Sequence, residues 1–202
     1  GVYRGSNVLL VGMTGTGKTT FSLHFAITNA LQGRKAIYIS FEEPMDQIIR
    51  AAKNYGMPIE EALKDNLKIF TWVPESRTPV YTFLKIKEII EKLKPEVLVI
   101  DSLTSLRQHM EEKELAKMLR YLNLLTKVNR VTTYFTLNEE TNFEVVPFTG
   151  ASTMVDVIIG LKYQTRNGNI ERKIAIVKSR ASNHSRKIHR YEITNRGVEI
   201  YE

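Results

Sequence analysis

Apolar residues fall along this chain in short unbroken runs, separated by longer stretches whose apolar positions recur at helical spacing. Val8-Leu9-Leu10-Val11 is the first such run and reads as a buried strand. Residues 20–31 follow, with Phe21, Phe25 and Ile27 among the apolar positions of a helix. Residues 35–40 are a short β-rich run, and residues 45–54 read as a helix opening at Pro44, a favourable first-turn residue. Residues 67–71 are a further strand. Residues 82–93 carry Phe83, Leu84, Ile86, Ile89, Ile90 and Leu93 near the helical period, and Lys94-Pro95 stops them. Val97-Leu98-Val99-Ile100 is unbroken, as a parallel strand covered on both faces requires. A helix over 113–127 and a strand over 131–137 complete the alternation. From Val155 onward strands are joined by tight turns, with Asn167-Gly168 and Asn195-Arg196-Gly197 as hairpin signals. The pattern predicts an α/β fold, a mostly parallel sheet flanked by helices and extended by C-terminal antiparallel strands. No repeat and no second domain is visible, so residues 1–202 read as one domain.

Composition narrows the class without choosing the chemistry. The 202 residues suffice for one core of ordinary size. No apolar run is long enough to cross a bilayer, and no signal-peptide pattern is visible. Cysteine is absent, which excludes disulfides and thiolate metal sites and fits a cytosolic protein. The formal net charge is +7, with Lys and Arg concentrated after Arg166. Such a tail can attract nucleic acid, face a neighbouring subunit's nucleotide, or stand in solvent.

Gly12-Met13-Thr14-Gly15-Thr16-Gly17-Lys18-Thr19 fits G-x-x-x-x-G-K-[ST], between the first strand and the first helix. Glycines let successive main-chain N–H groups curl round one polyphosphate, and the helix N-terminus adds partial positive charge. Thr14, Gly15, Thr16, Gly17, Lys18, Thr19 and Thr20 are therefore the expected triphosphate contacts, with Lys18 on the outer phosphates and the Thr19 hydroxyl on magnesium. Asp101 ends the run Val97 to Ile100, where a carboxylate would hold that magnesium. Glu42 and Glu43 follow another strand, so both should face the γ-phosphate and one can orient or deprotonate a nucleophile. An alternative for this acid pair is to favour the start of the helix after Pro44. His24 has no acid or Cys at ligand spacing and His109 lies in a polar segment, so neither suggests a metal site, and Trp72 reads as core or subunit contact.

The loop, Phe41-Glu42-Glu43, Ile100-Asp101-Ser102-Leu103, and Lys178-Ser179-Arg180 with His184 together resemble the KaiC branch of the RecA-like ATPases over nearly the whole chain. The spacing differs from that of RadA-type recombinases, which carry a lone catalytic acid. The resemblance implies a RecA-like core, ATP with magnesium, and Glu42 as the base with Glu43 in support. It also implies that Lys178 and Arg180, with His184 nearby, project into the next subunit's nucleotide, hence a homo-oligomeric ring, usually a hexamer. Two cations on γ-phosphate oxygens would stabilise transition-state charge. The family usually has Gly after the Arg, whereas this chain has Ala181. Ser152-Thr153 matches the register of the phosphorylated pair in the second, autokinase domain of KaiC, which implies self-phosphorylation as a further activity. The alternative there is a turn capped by local hydrogen bonds. Family members carry sequence before the glycine-rich start at Gly1 to Gly5, so the resemblance also leaves room for a chain that is a fragment.

Three functions follow as expectations. The first is a magnesium-dependent ATPase ring. The second is a recombinase-like protein whose DNA binding is governed by ATP. Residues 139–150, where such proteins place a DNA loop, hold Glu139, Glu140 and Glu144 and no Lys or Arg, which argues against a DNA channel. The third is a nucleotide-gated scaffold with little turnover.

Overall fold

The computed structural model describes residues 1–72, 78–143 and 154–201. Its strands, in chain order, are β1 Asn7–Gly12, β2 Ala36–Ser40, β3 Leu67–Thr71, β4 Val97–Asp101, β5 Thr132–Asn138, β6 Val157–Arg166, β7 Asn169–Ser179, β8 His189–Thr194 and β9 Gly197–Tyr201. The helices are α1 Lys18–Leu31, α2 Met45–Asn54, α3 Ile59–Asp65, α4 Pro79–Leu93, α5 Leu103–Gln108 and α6 Glu112–Val128. One sheet runs in the order β3-β2-β4-β5-β1-β6-β7-β8-β9. Pairings from β3 across to β6 are parallel, and those from β6 to β9 are antiparallel.

Period-two alternation builds two cores on the parallel part. Ile37 and Ile39 of β2 with Leu98 and Ile100 of β4 meet Ile86, Ile89 and Ile90 of α4 and Leu115, Leu119 and Leu122 of α6. Ala36, Tyr38, Val97 and Val99, on the opposite pleat, meet Leu23, Ala26, Ile27 and Ala30 of α1 and Ile48 and Ile59 of α2 and α3. Burial on both faces explains why residues 8–11 of β1 and 97–100 of β4 are apolar without interruption. A third cluster, Leu10, Leu161 and Tyr191, seats the antiparallel strands against β1.

Most boundaries match the sequence reading, and the differences have local causes. α1 begins at Lys18 rather than residue 20, because Gly17 takes φ 94° and turns the chain directly into the helix. α4 begins at Pro79 rather than residue 82: the Thr78 hydroxyl accepts from the Tyr81 N–H at 3.3 Å, and proline fits the first turn. Pro44 is the residue before α2 rather than within its first turn. α6 opens at Glu112 through a reciprocal capping box between Glu111 and Glu114. Two short helices, α3 and α5, were not expected from the pattern. No helix among the described residues is long and apolar enough to cross a membrane.

Candidate nucleotide site

The loop after β1 lies at the carboxyl ends of the parallel strands, where an open α/β sheet receives its ligand. Two glycines are required there by shape. Gly17 has φ 94°, and a Cβ on it would stand 2.3 Å from Ile193 Cδ1. Gly15 has φ 81°, and its Cβ would stand 2.8 Å from the Tyr163 hydroxyl. The antiparallel strands thus buttress the loop, and the Tyr191 hydroxyl adds a 2.5 Å bond to the Thr16 carbonyl. Thr16 and Thr20 are buried at the loop and the start of α1, while Thr14 is exposed at the loop tip.

Lys18 curls over the loop. Its ammonium donates to the carbonyls of Gly12 and Met13 and to Asn138 Oδ1, each at 2.9 Å. Burial lowers its pKa, and the charges of Asp101 and Glu42 oppose that shift. Asn138 ends β5 in register with Gly12, and its amide donates to Thr14 Oγ1 at 2.7 Å.

Asp101 gathers hydroxyls. Its Oδ2 accepts from Thr19 Oγ1 at 2.9 Å and from Tyr38 at 2.5 Å, and its Oδ1 accepts from Thr136. Burial, followed by the Asp101 charge, drives the Tyr38 hydroxyl well above its ordinary pKa, which keeps it a donor. The Thr19 hydroxyl and the Asp101 carboxylate are hard oxygen donors side by side, which suits magnesium. No group of three or more His, Cys, Asp or Glu among the described residues is placed to hold a metal ion by itself, and a magnesium ion held mostly by water and phosphate needs none.

Glu42 and Glu43 stand on the same rim but in different surroundings. Glu42 Oε1 accepts from Ser102 and, at 2.8 Å, from Ser105. Glu43 is held through its main chain, its N–H donating to Ser40 Oγ at 2.9 Å. Its carboxyl titrates above the usual range because of burial first, then the charges of Asp101 and Glu42. The acid in the first turn of α2 is Asp46.

Lys178 and Arg180 lie elsewhere, at the foot of the sheet. The Arg180 N–H donates to the Asp156 carbonyl at 2.9 Å, and the Asp156 N–H donates to the Asn7 carbonyl at 2.8 Å, at the opposite end of β1 from the loop. The Lys178 ammonium donates to the Val155 carbonyl at 2.9 Å. Burial and then the Arg180 charge lower the Lys178 pKa. His184 follows in the same loop, its Nδ1 3.4 Å from the Ser182 carbonyl. Within one chain the structure therefore brings together Lys18, Thr19, Glu42, Glu43 and Asp101, and keeps Lys178, Arg180 and His184 apart from them. Ser152 and Thr153 lie outside the described residues.

The sequence reading missed Asn138, Tyr38, Thr136 and Ser105. Asn138 could have been found from its place at the end of a strand beside β1. Tyr38 and Thr136 are polar residues in otherwise apolar strands, a pattern that asks for a buried partner. Trp72 packs edge-on to Phe41 at 5.1 Å with Lys85 over its ring at 4.3 Å, beside the core as expected. His24 rests against Gly197, and His109 caps the end of α5.

Comparison with known proteins bears on the family and the fold. The family described as "ATPase: KaiC" matches residues 1–202. The circadian clock protein KaiC3 of Synechocystis is 30% identical over 99% of the chain and 40% of its own length. The circadian clock oscillator protein KaiC of Parathermosynechococcus lividus is 31% identical over 99% of the chain and 38% of its own length. The chain thus spans about 40% of the length of the curated relatives it matches. The crystal structure of the KaiC-like protein PH0186 from Pyrococcus horikoshii superposes with a TM-score of 0.89 at 27% identity, covering 100% of this chain and 92% of that one. The α/β architecture, mostly parallel with antiparallel C-terminal strands, is therefore that of a KaiC-like RecA fold. The chain belongs to the KaiC family of ATPases.

Proposed function

We propose that this chain hydrolyses ATP with magnesium in a ring of identical copies, each nucleotide lying between the loop of one copy and the basic pair of the next. The observation that carries this reading is a separation. The loop leaves β1 at Gly12, whereas Asp156, whose carbonyl holds Arg180, pairs beside Asn7. Five strand rises, roughly 17 Å, lie between those points. An arginine side chain cannot span that length, so a triphosphate served by the pair is one bound by another copy, which supports the shared-pocket reading.

The roles follow from the surroundings. Main-chain N–H groups of Thr14, Gly15, Thr16 and Gly17 and of the first turn at Thr19 and Thr20 wrap the phosphates, and Lys18 exchanges its carbonyl partners for phosphate oxygens. Thr19 and Asp101 would hold the magnesium, which supplies charge neutralisation when bound. Glu42, steadied by Ser102 and Ser105, orients the attacking water and takes its proton, with Glu43 beside it. Lys178 and Arg180 offset charge developing on the γ-phosphate, with His184 lining the same shared pocket. Self-phosphorylation on Ser152 and Thr153 rests on the resemblance alone; label from γ-labelled ATP found elsewhere, or nowhere, removes it.

The deciding experiment is light scattering with and without Mg-ATP, alongside turnover of Lys18→Ala, Arg180→Ala and Glu42→Gln. A larger assembly with Mg-ATP, loss of binding or turnover in the first variant and slowed hydrolysis in the others support the reading. A monomer under every condition ends the ring. Equal, negligible rates in wild type and the Glu42→Gln/Glu43→Gln double variant favour the scaffold. A recombinase-like role finds less support, since residues 139–150 hold Glu139, Glu140 and Glu144 and no Lys or Arg to attract a phosphate backbone.

A further inference from the structure

Three features meet where β6 begins and β7 ends. Asp156 is bonded on every side. Its N–H donates to the Asn7 carbonyl at 2.8 Å, its carboxylate accepts from the Asn7 N–H at 2.9 Å and from Lys127 Nζ at 2.8 Å, and its carbonyl accepts from the Arg180 N–H at 2.9 Å. Lys178 meanwhile donates to the preceding carbonyl, that of Val155, at 2.9 Å. Both members of the basic pair are thereby tied to consecutive residues, one through its side chain and the other through its main chain.

The second feature is a slip in strand pairing. Ile158 faces Lys178 but Ile159 faces Ile176, which leaves Val177 as an extra residue on β7. A bulge of this kind bends its strand and re-aims the side chains beyond it. The third is the turn: Ala181 takes φ 54°, so the chain swings away immediately after Arg180.

Charge completes the picture. The Asp156 side chain is 16% exposed. A bare carboxylate there would repel an incoming triphosphate, and the Lys127 ammonium on its Oδ1 neutralises it. A long cation on an untethered loop would have to be ordered each time a nucleotide arrives, whereas one held at its root is ordered beforehand.

We propose that Asp156, locked by Lys127 and Asn7, is the positioning residue for Lys178 and Arg180, so that each protomer offers its cation pair to a second copy of this chain as a pre-aimed, rigid element. This rests on the shared-site reading given above and adds to it a specific anchor.

The test is complementation between full-length variants under Mg-ATP. Asp156→Ala lowers kcat about ten- to a hundredfold, the scale of a small misplacement, while KM changes by less than about threefold. Mixed with Glu42→Gln, it regains turnover, because one partner brings an intact loop and acid and the other an intact basic pair. Mixed with Arg180→Ala, it regains none, because both lack the same part. Asp156→Asn keeps the shape, loses the charge contact with Lys127 and behaves the same way; it decides the matter if Asp156→Ala melts early. Recovery with Arg180→Ala, or wild-type kcat in both Asp156 variants, overturns the proposal. If Arg180→Ala and Glu42→Gln do not rescue each other, the shared site itself has failed and the anchor falls with it. If they do, while Asp156→Ala and Glu42→Gln do not, only the anchor is refuted.

Discussion

Lys18 and Asn138 are joined by a 2.9 Å hydrogen bond from ammonium to side-chain carbonyl, which links the loop to the end of β5. The Asn138 amide also reaches Thr14, so one side chain spans the mouth of the loop. Replacing it by a carboxylate would neutralise the ammonium and set negative charge against the phosphates. Asn138→Asp is expected to weaken ATP binding more than about tenfold, a shift of about 1.4 kcal/mol or more. Asn138→Ala, which removes contacts but adds no charge, should weaken it less. Titration with a fluorescent ATP analogue gives both constants; equal affinities for the two variants would count against the placement of the phosphates beside Asn138.

Ala181 occupies a left-handed backbone position at φ 54°, which costs an ordinary residue about 1–2 kcal/mol. Glycine avoids that cost but loses more chain entropy on folding. Ala181→Gly should therefore raise stability by up to about 1 kcal/mol, or about 2–4 °C in melting temperature for a chain of this size. Ala181→Val should lower it. A drop on introducing Gly, measured by differential scanning calorimetry, would mean that the turn after Arg180 is not left-handed.

Glu43 carries a pH signature of known sign. Burial, then Asp101, then Glu42 raise its pKa in the fold, so the native state binds its proton more tightly than the unfolded chain does. Above the raised value both states are ionised and the group opposes folding. Below the unfolded value both are protonated and the penalty is gone. Glu43→Gln should thus melt higher than wild type at neutral pH, and the difference should shrink as pH falls through the carboxylate range. A constant difference from pH 7 to pH 3 would contradict this.

Legibility from sequence followed burial. β1 and β4 are buried at every residue, and their interiors, residues 8–11 and 97–100, appear as unbroken apolar runs. α3 and α5, at 7 and 6 residues, are shorter than two full turns and never establish a period. That gap also hid Ser105, which reaches Glu42 only because α5 follows Asp101 directly. The role expected of Lys178 and Arg180 was legible only through the family resemblance. Their place at the foot of β1 was not, because it depends on the register of β6 with β1 and β7 and on the bulge at Val177, which are properties of tertiary pairing.

The Thr19 hydroxyl offers a clean separation of fold from metal. Among the described residues it donates to Asp101, while Tyr38 and Thr136 go on holding that carboxylate. Thr19→Val keeps the shape and removes the hydroxyl, so free-protein stability should fall by only about 1 kcal/mol. If Thr19 binds magnesium, the same change removes a ligand of the ion, and binding linkage then predicts a larger effect with nucleotide than without. Wild-type protein should melt markedly higher in ATP with magnesium than in ATP with EDTA. Thr19→Val should lose most of that gap, and Thr19→Ser should retain it, because serine restores the oxygen. An undiminished gap in Thr19→Val would place the ion away from Thr19 and leave the hydroxyl with the structural role alone.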